Sequence, residues 1–385
     1  MEDEMKRKIF MAIIVSVAVL SSCGTKKEQV EETSQYVESF DPNEVLETEA
    51  PDEEEVEDED HTGQSRSNLT GEWKDDKIVN RRSIAVMIPN NTPALPQYGI
   101  SKASIIYEAP VEGRISRIMG VFEDYDDLER IGPIRSSRDY YIYEAMAFDS
   151  IYVNWGLAVP YVQDLINSDR VDNVSQAVTG ISKPASEAFG RVNRGSGYST
   201  EFTGYLFIDG LNKAIDRLGY QTEYHDTFVK AFKFADKSNK ETYESLPDAK
   251  MIYPGGKSGS NSSGYGIAHP YFEYNEDENL YYRYQYGGPQ KDEYNDEQVT
   301  VSNVIFKICH GEVRDDHDYL AFRVHGDGDC YVFTGGKVIK GTWNRESDYA
   351  PNLFYDEDGN EIELNPGRTW IVNIWKEYEE YVDYE

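Results

Sequence analysis

Between Ser83 and Gly156 the chain repeats short β-branched apolar runs around one helical stretch, and that spacing restricts the region to an α/β fold. "SIAVMI" (Ser83 to Ile88), "ASIIYEAP" (Ala103 to Pro110) and "ISRIMGVF" (Ile115 to Phe122) read as strands, and "RIGPI" as a short fourth. Ser136-x-x-Asp139 then opens a helix with a capping pattern, and "SIYVNWG" (Ser150 to Gly156) is the next strand. A further helix is expected after Thr203, running to about Leu218. It places Leu211, Ala214, Ile215 and Leu218 on one face and ends at Gly219. "VPYVQDLINS" and "PASEAFGRV" read as shorter helices. This α/β domain, a mixed sheet with helices, covers 79–235. From 236 to 385 the pattern changes to short β runs broken by Gly, Asn and Asp turns. That part is expected to be a mostly-β domain, a small barrel or sandwich, and it includes a Tyr-rich hairpin at 270–287.

The N-terminus sets the compartment. Lys6, Arg7 and Lys8 precede an apolar run from Ile9 to Leu20, and Leu20-Ser21-Ser22-Cys23 follows. The apolar run is well short of the ~20 residues that span a bilayer. A basic patch, a short apolar core and small residues before a cysteine make a lipoprotein signal peptide over 1–22. Cleavage before Cys23 leaves that residue as the acylation site. Acidic Glu2 and Asp3 before the basic patch make Met5 an alternative start. The protein is then expected on the outer face of the cytoplasmic membrane, held by lipid on Cys23.

Charge separates what folds from what does not. Between Gly24 and Ile78 there are 19 Asp/Glu against 5 Lys/Arg, so −14 of the net −33 sits in this stretch. "PDEEEVEDED" (Pro51 to Asp60) is its extreme. Few apolar groups and dense like charge do not offset the entropy of ordering, so 23–78 reads as an acidic disordered tether. A self-repelling coil of that length spans roughly 40 Å or more. The acidic balance also excludes nucleic acid as a partner, since that needs a basic footprint.

Against this background the stretch "IGPIRSSRDYY" (Ile131 to Tyr141) concentrates arginine. Arg135 and Arg138 flank the start of a helix, where free N–H groups and the helix dipole favour an anion. On the preceding strand Arg114 and Arg117 have odd spacing and point to opposite faces unless a bulge intervenes. Arg117 can then meet Arg135. The candidate anion site is Arg117, Arg135, Ser136, Ser137 and Arg138. An arginine buried without a partner costs several kcal/mol, so an anion belongs there. Two sources are open: the internal carboxylates Glu108 and Glu112, or an external phosphate or carboxylate held by an arginine fork.

"SIAVMIPN", the block from Gly99 to Tyr143 and the late "GDCYVFTGGKVIKGTWNRES" and "NEIELNPGRTWIVNI" resemble the YerB-like lipoproteins of Gram-positive bacteria, a two-region family of unknown function. The likeness covers nearly all of the chain after the tether. The Tyr/Gly-rich segment from about Glu241 to Asp296 looks like an addition found in clostridial-type members. The family pattern has a His near "NWG" where this chain has Asn154, so no role of that His carries over. The resemblance implies a surface lipoprotein with an envelope role and no established enzyme activity.

Other constellations are weaker. His310, Glu312, Asp315, Asp316 and His317 are metal-ligand types, but their spacing fits no closed zinc pattern and the expectation is a polar hairpin loop. No cofactor motif, G-x-S-x-G or H-E-x-x-H is present, and Ser136 and Ser137 lack an assignable His. His225 reads as structural. Tyr271, Tyr274, Tyr281, Tyr282, Tyr284 and Tyr286 suit either a sugar or protein face, or the packing of an ordinary hairpin. Cys309 and Cys330 remain after lipidation. A simple meander puts them two strands apart, ~9–10 Å, too far for a bond. A bend at "HGDGD" can instead bring Cys330 back beside Cys309. The oxidising compartment favours the bond, and a Cys309–Cys330 disulfide is the expectation. Taken together, the sequence points to a lipid-anchored binding or accessory protein acting on wall-modifying machinery, a wall fragment or an anionic wall ligand. The alternative is an envelope enzyme holding a phosphorylated or carboxylated substrate at the same arginines, with Glu108, Glu112 or Asp139 as its acid.

Overall fold

The backbone of the molecule is one mixed sheet of ten strands, seen in a computed structural model that describes residues 60–237, 244–258, 261 and 263–385. The signal peptide, Cys23 and the tether up to residue 59 lie outside the described residues. In chain order the strands are β1 (Ile84–Pro89), β2 (Ile105–Val111), β3 (Ile115–Phe122), β4 (Ile151–Asn154), β5 (Asn173–Ser175), β6 (Asn303–Cys309), β7 (Gly326–Thr334), β8 (Lys337–Arg345), β9 (Leu353–Asp356) and β10 (Thr369–Trp375). Their order across the sheet is β9-β8-β7-β6-β10-β2-β3-β1-β4-β5. The late strand β10 runs parallel to β6 on one side and to β2 on the other. It therefore joins the N-terminal α/β region to the mostly-β C-terminal region within a single sheet.

The central strands are apolar throughout because both faces are covered. On β1, Ile84, Val86 and Ile88 enter one core while Ala85 and Met87 enter the other. One face carries helix α1 (Asp139–Met146) and helix α2 (Val159–Ile166), through Tyr141, Ile142, Ala145, Val162 and Ile166. The other face carries helix α3 (Ile208–Leu218) and a second, six-stranded sheet that includes the Tyr-rich hairpin Tyr271–Asn275 and Leu280–Gln285. The C-terminal β runs thus divide between the main sheet and the second sheet packed on it, a sandwich rather than a closed barrel. In the hairpin Phe272, Tyr274, Tyr281 and Arg283 point inward, while Tyr271 and Tyr284 stack on the outer side with centroids 4.7 Å apart.

Several expectations are corrected. Residues 60–78, assigned to the tether by their charge, form strands Gln64–Arg66 and Trp73–Asp75 and a helical turn Asp76–Val79. Leu69 and Thr70 are fully buried there, and Ser67 donates a 2.7 Å hydrogen bond to the Glu123 carboxylate. Gly204–Phe207 is a strand, so α3 starts only at Ile208; Gly219 ends it with φ 73°, as expected. "PASEAFGRV" contains a 3-10 turn, Ser186–Ala188, and a strand, Phe189–Arg191. Ser136 does not cap α1, whose N-cap position is Arg138.

Cys309 and Cys330 are free, buried thiols, so the expected disulfide is not formed. The meander is also absent, because β7 returns directly beside β6. Cys330 pairs in register with Lys307, which places Cys309 two residues along the same face. Diagonal neighbours of this kind are roughly 7–8 Å apart, beyond the reach of a disulfide.

Candidate anion-binding site

The register of β2, β3 and β1 decides where each charge goes. Ala109 and Pro89 lie beside Arg117, while Glu108 lies beside Ile118. Arg117 therefore faces α1, and Glu108 faces the opposite core. The segment before α1 is pinned between strand ends. Arg135 N–H donates to Met87 O at 2.9 Å, Trp155 N–H to Arg135 O at 3.0 Å, and Ser137 N–H to Gly156 O at 2.8 Å. Gly156 has φ 100°, and a Cβ there would run into Ser136 Oγ, so this position needs glycine. Asn154 is fully buried and shapes the same loop. Its Nδ2 donates to Gly156 O at 2.7 Å and its Oδ1 accepts from Ser175 Oγ at 2.6 Å. Tyr141 Oη ties α1 to the sheet by donating to Arg117 O at 2.6 Å.

The arginines differ in their partners. Arg138 is buried and closed internally: it forms an ion pair with Glu112, donates to Ser137 O at 2.7 Å and lies over the Tyr319 ring. Arg135 pairs with the half-exposed Glu201 and lies over Phe202. Burial, then the like charge of Arg117, lower the Arg135 pKa. Arg117 is only 5% exposed, and the partner it reaches is a backbone carbonyl, Ser136 O at 2.7 Å. No carboxylate among the described residues pairs with it. The one half-exposed carboxylate at this turn, Glu201, pairs with Arg135, which leaves the Arg117 charge uncompensated among the described residues. Arg114 stands apart, exposed with φ 60°, donating to Asn261 O at 2.8 Å.

The two expected internal partners divide accordingly. Glu112 closes Arg138. Glu108 is fully buried on the other face, where it accepts from Arg283 Nη2 at 2.7 Å, Asn90 Nδ2 at 3.0 Å, Ser116 Oγ at 2.5 Å and Trp370 Nε1 at 3.1 Å. Arg283 itself lies 4.6 Å from the centroids of both the Phe272 and Trp370 rings, which pack edge to face. Asp139 accepts from Arg314 at 2.6 Å. Ser137 is fully buried with its Oγ 2.8 Å from Tyr152 Oη, and burial raises the Tyr152 pKa, so that phenol stays neutral. The arrangement has the donors an oxyanion needs, and among the described residues it places no histidine or carboxylate against Ser137 Oγ.

Among the described residues no group of three or more His, Cys, Asp or Glu is placed to hold a metal. The segment around His310 and His317 is a polar hairpin, in which Gly311–Val313 pairs with Leu320–Phe322. Sequence reasoning missed a second buried charge network. Glu144 on α1 accepts from Lys307 Nζ at 2.8 Å, Arg345 Nη1 at 3.1 Å and Asn352 Nδ2 at 2.8 Å, with all three charged side chains fully buried. Its signal was present: Lys307 is a lone charge inside the apolar run "VIFKIC".

Residues 69–221 match the N-terminal domain, and 262–371 the C-terminal domain, of a protein family of unknown function, DUF3048. Together the two matches take in about two thirds of the chain. A Bacillus subtilis protein carrying the description lipoprotein YerB is 27% identical over 307 residues, which is 80% of this chain and 85% of that protein. The crystal structure of YerB from Bacillus subtilis is similar in fold, with a TM-score of 0.69 at 23% identity, covering 83% of this chain and 99% of that one. The two matched regions, in this order and over more than half of the chain, place it in the DUF3048 family of proteins of unknown function.

Proposed function

We propose that the protein is a lipid-anchored, extracytoplasmic binding protein of the cell envelope, and that Arg117 and Arg135 take the phosphate or carboxylate of a wall fragment or of a partner in the wall-modifying machinery. The observation that carries this reading is Arg117, a guanidinium 5% exposed, held by one backbone carbonyl and facing a second arginine. Burying a charge without a counter-charge costs several kcal/mol, and a bound oxyanion removes that cost. Glu108, Glu112 and Asp139, the acids an enzyme would use here, are each engaged by other arginines, which favours binding over catalysis. The signal ending at Cys23 and the lipoprotein description of a relative support the anchor.

Two measurements test the reading. Sugar-free polyol-phosphate fragments should bind the mature chain and lose that binding in Arg117→Met; equal retention of the phosphate-free polyol would remove the anionic ligand from the account. Fatty-acid labelling in cells should mark the wild-type chain and not Cys23→Ala; label kept by the variant would refute the anchor.

A further inference from the structure

A cavity of about 350 Å³ opens between the β2–β3 turn and the end of β10. It lies within the size range of small-ligand sites, roughly 300–1,000 Å³. Trp375 and Tyr378 line it with ring planes at 80° and centroids 5.4 Å apart, so the two rings form an aromatic corner. Leu320 adds to the apolar wall. Trp375 is braced from a further side by an edge contact with Phe322.

Three charged groups line the same cavity: Glu112, Arg114 and Asp318. The Arg138 ion pair orients the Glu112 carboxylate while leaving it 29% exposed. Arg114 and Asp318 are exposed, each has φ 60°, and neither has an ion partner among the described residues. Arg138 neutralises Glu112, and Arg114 and Asp318 put opposite charges on the rim, so little net charge is left to select an ion. A wholly apolar ligand would dehydrate two carboxylates without replacing their hydrogen bonds. An anionic ligand would meet both carboxylates.

A sugar ring satisfies all of these surfaces at once. Its C–H face packs against aromatic rings, and its hydroxyls donate to carboxylates and accept from a guanidinium. We propose that this cavity is a binding site for a neutral saccharide, with Trp375 and Tyr378 as the platform and Glu112, Arg114 and Asp318 as the hydrogen-bonding rim. The Glu112–Arg138 ion pair links the cavity to the arginine turn, but Arg117 and Arg135 do not line it, so the two sites can be tested apart.

The test is calorimetry and saturation-transfer NMR on the mature chain with chitotriose, maltotriose and cellotriose as probes. Saturable binding of at least one is expected. Tyr378→Ala and Asp318→Asn should each weaken it about tenfold or more, Trp375→Phe should retain more binding than Trp375→Ala, and Arg117→Met should leave it unchanged. Melting temperatures separate loss of binding from loss of fold, and the exposed Asp318→Asn decides the matter if an aromatic variant unfolds. Absence of binding by all three probes, or binding that ignores Tyr378→Ala and Asp318→Asn, would overturn the proposal.

Discussion

At the scale of single residues, burial and face decide which arginine matters for what. The Arg135–Glu201 pair is partly solvent-exposed, so Arg135→Ala should cost less than about 1 kcal/mol. Arg138 is buried against Glu112, so Arg138→Ala should cost about 3–5 kcal/mol. Urea denaturation of the two variants checks this order, and equal losses would contradict it. The interior charges add a pH dependence. Burial opposes ionisation of Glu144, but Lys307 and Arg345 outweigh it and hold its pKa below the usual range. An unfolded glutamate titrates near about 4.3. The stabilisation is therefore present above that value and lost as pH falls through the lower folded pKa. Glu144→Gln should show a deficit of about 3–5 kcal/mol at neutral pH that shrinks below about pH 4. A deficit that does not change with pH would contradict the assignment. The arginine cluster itself was legible in "IGPIRSSRD", but its partners were not. Glu108 and Arg117 belong to opposite faces because Ala109, not Glu108, is in register with Arg117. A shift of one residue reverses that assignment, and strand sequences do not specify their register.

At the scale of elements, local pattern served well where one stretch decides the outcome. The apolar stripe and Gly219 define the end of α3, and alternation defines the hairpin. It failed where an average hid a segment. The charge count over Gly24 to Ile78 blends an acidic run with a short folded piece that buries Leu69 and Thr70. It failed again for the cysteines, because compartment chemistry does not reveal strand pairing. Burial pushes the Cys309 and Cys330 thiols up to about 12, so both stay protonated near neutral pH. The native chain should resist thiol reagents at pH 8, and the denatured, unreduced chain should yield two free thiols. A count of zero would restore the disulfide.

At the scale of the whole molecule, β10 joins the regions that sequence reasoning separates at residue 235. It inserts between β2 and β6, so removing the C-terminal half exposes a long edge of β2 and uncovers the core packed against the second sheet. Pairing across more than 250 residues has no local signature in sequence. The mature chain should unfold in one transition with coincident far-UV and tryptophan signals, and a 79–235 fragment should not fold cooperatively; a stable fragment would mean two independent units. Within that rigid frame the central claim is that a buried arginine waits for an anion. Calorimetric titration of inorganic phosphate into the mature chain and into Arg117→Met tests it most directly. The account predicts saturable binding by the wild type, no binding by the variant, and a variant melting temperature unchanged or raised because an uncompensated buried charge is gone. Phosphate binding that survives Arg117→Met, or a wild type that binds none while the variant is strongly destabilised, would contradict it.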